Sequence, residues 1–139
     1  MTTEEEHKSI QDELEDDLNE KINRRILGKR QKLIGFATSE ASTNLFARLL
    51  HKLDLISAGF NVNRRFFASL QRAKEVFNFD IPNKEKILSY LVSQEKYRDK
   101  LCYGKNKDES LARDAVENYF KLKEIIENEI SKSEKDEKE

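Results

Sequence analysis

Only two histidines stand in the 139-residue chain, His7 and His51, and any proton-transfer or metal chemistry has to begin with them. Glu4 and His7 share the Glu-x-x-His spacing of bundle-type di-iron proteins, which puts a carboxylate and an imidazole about one helical turn apart. Such a centre needs a second pair on a facing helix, yet the residue at that spacing before His51 is Arg48. The sequence therefore implies no metal and no cofactor. Asp54 follows His51 closely enough on a helix for its carboxylate to orient the imidazole. A nucleophile would still be needed, and nothing local supplies one. A helix-edge histidine beside an acid accounts for this pair more simply.

The lone cysteine, Cys102, excludes an intramolecular disulfide, and no Cys/His cluster has the spacing of a zinc site. Reactive thiolates favour helix N-termini and electropositive surroundings. Lys100 and Lys105 are close, but Cys102 sits toward the other end of its helix, so a partly buried structural thiol is expected. Glycine-rich phosphate loops are absent, and the acids fall in surface runs. Helical-bundle ribonucleases of the HEPN type space their arginine and histidine more widely than Arg48 and His51, and the resemblance fails at that motif. No catalytic residue and no small-molecule site emerge, and the chain is expected not to be an enzyme.

The elements that must position these residues are helices. Four glycines and one proline leave most of the chain without punctuation, and apolar residues recur at helical spacing. Hydrophobic residues make up 37% and charged residues 38%, enough apolar content for one core in one domain. The fold class is expected to be all-α: an antiparallel bundle of about five helices with a long, partly protruding first helix. Residues 1–9 read as a frayed acidic end, 10–130 as the bundle and 131–139 as a disordered charged tail.

The first helix is expected from about Thr3 to Ile34, with Gly28 a soft spot for bending. Gly35–Ser39 reads as a break, with Ser39 capping a second helix to Ala58 and Gly59 at its left-handed end. A third helix follows Asn61 or Asn63 and includes Phe66 and Phe67, both assigned to the core. A fourth runs from a cap at Asn83 to about Cys102, and a fifth follows Asp108 or Ser110.

The first helix carries Ile10, Leu14, Leu18, Ile22 and Ile26 in steps of four, and each step overshoots a turn by roughly 40°. Such a row winds around the helix and suits an oblique crossing rather than a coiled coil. Residues 1–20 hold nine acids against Lys8, whereas residues 21–32 hold six bases and no acid. A helix matched to its own dipole accounts for this, and so does a surface for a partner of opposite polarity. The expected partner is a second copy (a homodimer) or another protein, met through Leu14, Leu18 and Ile22. The alternative is nucleic acid, with Arg24, Arg25, Lys29, Arg30, Arg64 and Arg65 on phosphates, although a net charge of −1 gives no general reason to expect it. As a helix-turn-helix the stretch around Gly59 fits badly, since Asp54 and Arg65 would occupy inward positions. No apolar run approaches a membrane span, no basic leader opens the chain, and a cytoplasmic location is expected. Abundant Lys and Glu with few Gly, Pro, Cys and Met would also suit a thermophilic source.

Overall fold

A computed structural model describes residues 3–23, 27–57, 59–105 and 107–138. Five α-helices occupy most of them: α1 (Glu4–Asn23), α2 (Gln31–Lys52), α3 (Leu70–Val76), α4 (Lys84–Cys102) and α5 (Glu109–Lys138). Short 3-10 turns cover Leu27–Lys29 and Arg64–Phe67, and no strand occurs among the described residues. The all-α bundle read from the sequence is what the chain forms.

The central element is α2, which packs against α1, α4 and α5. Contacts fix the directions. Glu4 reaches Arg48 and His7 reaches Asn44, so α1 runs antiparallel to α2. Lys32 meets Cys102 while Ser39 meets Glu95, and Ala115 meets Gln94 while Asn118 meets Tyr90, so α4 is antiparallel to both α2 and α5. Its central place explains the composition of α2. Gly35, Ala37, Thr38, Ser39, Ala41, Ser42 and Ala47 are all buried, and small side chains let neighbouring helices approach.

Here the expected break at Gly35–Ser39 is overturned: those residues lie inside α2. An ideal Cβ on Gly35 would stand 2.9 Å from Leu101 Cβ, so glycine marks a close helix crossing instead of a turn. The hydroxyls that normally favour turns bond back along the helix, Thr38 to the Ile34 carbonyl at 2.8 Å and Ser42 to that of Thr38 at 2.6 Å. The expected single helix to Ile34 is replaced by α1 at Glu4–Asn23 and a 3-10 turn at Leu27–Lys29 that leads into α2. Nor does α1 stand away from the bundle, because Leu18 is fully buried within the chain's own core.

Other boundaries shift for local reasons. The second helix stops at Lys52, and Asp54 (φ 55°) takes the left-handed position expected of Gly59. The third helix divides: Asn63 caps the 3-10 turn by accepting from Arg65 N–H at 2.9 Å, and Ser69 caps α3 by accepting from Arg72 N–H at 3.1 Å. This division lets Phe67 and Phe77 stack on each other, with Phe46 edge-on to both. Asn83 does precede α4, but it is left-handed and spends its amide on Glu129 at 2.9 Å. Asp108 caps α5 through Ser110 N–H at 2.9 Å, a bond that holds its carboxyl below the usual range. Where a disordered tail was expected from Ser131, α5 continues to Lys138, and Glu134 pairs with Lys52 at 3.4 Å.

Candidate interaction surface

The winding apolar row on α1 sends its residues to different places. Leu18 faces the core, Leu14 is half-buried against it, and Ile10 and Ile22 remain exposed. Leu18 is therefore unavailable to a second chain, which corrects its assignment as a partner contact. Polar residues fill the buried face of α1 at the other turns: His7, Gln11 and Lys21. Gln11 sits in a polar layer with Tyr119, whose hydroxyl donates to Glu15 at 3.0 Å, and with Arg48, which reaches Gln11 Oε1 at 3.4 Å. Lys123 closes the layer on Glu15, and Lys21 pairs with Asp17 along its own helix. Burial and the neighbouring Glu15 hold the Tyr119 phenol far above its ordinary pKa.

What Leu18 leaves uncovered is a groove beside it. Ile10, Glu13, Leu14 and Asp17 from α1 face Leu33, Phe36 and Ala37 from α2 across about 370 Å³. Ile10, Leu33 and Phe36 are 41%, 52% and 45% exposed, so large apolar side chains line an open cleft. Phe36 is held in place by Arg98, whose guanidinium lies 5.3 Å from the ring centre while bonding Glu40 at 2.9 Å and Ser39 at 3.2 Å. The groove continues past Ile10 into a more polar recess of about 380 Å³ bordered by His7, Glu40, Asn44 and Asn61.

Leu33, Phe36, Ala37 and Glu40 follow the three-and-four spacing of one helix face. Reading a break at Gly35 cut that face in two, which is why the sequence showed Leu14 and Ile22 but missed Leu33 and Phe36.

The six basic residues of the alternative reading are not equivalent. Arg24 and Arg25 lie outside the described residues. Arg64 is committed to its own chain: it bonds Glu95 at 3.1 Å, and that bond raises its pKa. Ser39 donates to the other oxygen of the same buried carboxylate at 2.6 Å. Lys29, Arg30 and Arg65 are exposed.

Neither candidate for chemistry assembles. Asp54 is exposed, and its link to His51 is a backbone bond, N–H to carbonyl at 3.1 Å. Cys102 donates to the Lys32 carbonyl at 3.4 Å, and burial pushes its thiol pKa up, away from the reactive thiolate. Among the described residues no three His, Cys, Asp or Glu side chains are grouped to hold a metal ion, and no helix is long and apolar enough to cross a membrane. No family model, curated protein or solved structure matches the chain.

Proposed function

We propose that this protein is a non-enzymatic interaction and assembly module that pairs with a second copy of itself through the α1–α2 groove. The observation that carries the reading is the convergence of Ile10, Leu33 and Phe36, three large exposed apolar side chains, on one cleft beside Leu14. Charge supports a second copy as the occupant. Exposed Glu5 and Glu6 mark the end of the groove where α1 begins, and exposed Lys29, Arg30 and Lys32 mark the end where α2 begins. Two copies crossing antiparallel about a two-fold axis would set each acidic end against a basic one. The charges would govern orientation and association rate, while the apolar residues would supply most of the affinity.

Sedimentation of the wild-type chain across a concentration series tests this directly. A mass that rises from monomer to dimer, and a dimer that Leu33→Ser with Phe36→Ser abolishes, is the expected result. A wild type that stays monomeric at high micromolar concentration would end the reading. Nucleic acid remains the alternative, weakened because Arg64 already serves Glu95. Binding to generic duplex DNA that falls steeply with salt would favour it.

A further inference from the structure

The two histidines left without chemistry meet each other where α1 packs on α2. His7 comes from the start of α1 and His51 from the last turn of α2, and their ring centres lie 5.4 Å apart. His7 is only 8% exposed. Its Nδ1 lies 2.7 Å from Asn44 Oδ1. Asn44 donates its own Nδ2 to the Glu40 carbonyl at 2.8 Å, which leaves Oδ1 as an acceptor and puts the His7 proton on Nδ1. The opposite nitrogen of the same ring is Nε2. It is buried, as is Nε2 of His51, and neither has a hydrogen-bond partner among the described residues.

A proton taken up by His51 would place a cation beside a second imidazole, in a ring whose Nε2 is buried without a partner. We propose that His7 and His51 form a proton-sensitive latch that holds α1 against α2, closed while His51 is neutral and opened when His51 takes up a proton.

The surrounding charges do not cancel this penalty. Glu4 on α1 favours a charged His51, but its carboxylate is taken by Arg48 Nε at 3.0 Å. On α2, Glu40 is held by Arg98 at 2.9 Å, and Arg48 and Lys52 are themselves cations. On α5, Glu127 and Glu134 are directed at Arg48 and Lys52, at 4.0 and 3.4 Å. Asp54, just beyond α2, is exposed, and Asn61, Val62 and Asn63, which border the recess beside His7, carry no charge.

Burial is the main cause that lowers the proton affinity of His51, His7 adds to it, and Glu4 works the other way. The released ring, near its ordinary pKa of about 6.5, binds a proton more readily than the docked one. Docking is thus insensitive to pH well above that value and weakens as pH falls below it, until the docked ring also titrates. Linkage allows His51 to lower the docking constant by up to about tenfold per pH unit in that window.

Release would also dismantle the groove, since Ile10 and Leu14 travel with α1. That consequence rests on the proposed dimer, whereas the latch does not.

Hydrogen exchange on the full chain between pH 7.5 and 5.0, corrected for intrinsic rates, tests the latch. Protection of α1 should fall across this range, by no more than about tenfold per pH unit, while α4 keeps its own, and a His51→Leu variant should show no such response. Proton NMR titration of the wild-type imidazoles covers the case in which that variant fails to fold: His51 should titrate below pH 6.5. Unchanged α1 protection down to pH 5.0, His51 titrating at or above 6.5, or a folded His51→Leu that responds like wild type would overturn the proposal. Runs at low and high protein concentration separate it from the dimer. A response independent of concentration belongs to the latch, and a chain that never dimerises removes the groove reading alone.

Discussion

Replacing Gly35 with alanine adds one methyl group at the crossing of α2 and α4. Its Cβ would lie 2.9 Å from Leu101 Cβ, 3.0 Å from Cys102 Sγ and 3.5 Å from Arg98 Cα. The Leu101 atom is fixed to its own helix and cannot rotate away, so the helices must separate slightly. Overpacking of this kind costs about 1–3 kcal/mol. Alanine recovers about 1 kcal/mol through its better helix propensity. The expected balance is a net loss of roughly 1 kcal/mol, which lowers the melting midpoint by roughly 3–6 °C in a domain of this size. Thermal denaturation followed by circular dichroism measures it. Adding Cys102→Ala removes one of the two clashes and should restore part of the loss, since residues in contact couple non-additively. Were residues 35–39 an exposed break, the alanine would instead be neutral or stabilising. A midpoint that rises would therefore refute both the continuous α2 and its close contact with α4.

Leu33 and Phe36 are each about half exposed, so a dimer would bury roughly 1 kcal/mol more from each, or about 4 kcal/mol over two copies. Leu33→Ser with Phe36→Ser should then weaken self-association by roughly a thousandfold, read by sedimentation, with little change in monomer melting. Deleting residues 131–139 removes the Lys52–Glu134 and Lys132–Glu129 pairs, together worth at most about 2 kcal/mol because Glu129 keeps its bond from Asn83, so the midpoint should fall by no more than roughly 8 °C. Arg64→Ala strips the guanidinium from a nearly buried Glu95 carboxylate and should cost about 1–3 kcal/mol in urea denaturation, whereas Arg65→Ala, at an exposed position, should be close to neutral. Equal effects from the two arginines would remove the argument that Arg64 is engaged within its own chain.

Helix content and core membership were legible because each depends on a pattern that repeats. Leu45, Phe46, Leu49 and Leu50 on α2, Ile87, Leu88 and Leu91 on α4, and Tyr119, Leu122 and Ile126 on α5 recur at helical spacing, and all are buried. Boundaries were less legible because Gly, Ser and Thr have two uses. In Gly35-Phe36-Ala37-Thr38-Ser39 they signal a turn locally, but α2 lies among three helices, and there small side chains permit contact with Leu101. Nothing within the segment distinguishes these uses, since the deciding neighbours stand far along the chain. The meeting of His7 with His51 was hidden for the same reason. Along the sequence each histidine has an acid three residues away, Glu4 or Asp54, while its actual neighbour in space is the other histidine.

The apolar row on α1 shows how a correct pattern can lead to an incorrect contact. A row in steps of four drifts around its helix, so a core on one side can accept only part of it. Leu18 is accepted in full, and Ile10 is carried out to the groove. The other buried positions of α1 fall to His7, Gln11 and Lys21, which cannot contribute burial energy as a leucine would. Of the helices around α2, α1 therefore has its buried face most interrupted by polar groups. Its attachment depends on polar contacts remaining satisfied: His7 with Asn44, Gln11 with Tyr119, and Glu4 with Arg48. A helix held in that way responds to protons, and the apolar residues it leaves outside form one wall of the groove where a second copy would bind. The sensitivity of α1 docking and the exposure of Ile10 thus share one cause, the drift of a four-residue row past a core that takes in Leu18 fully and Leu14 only in part.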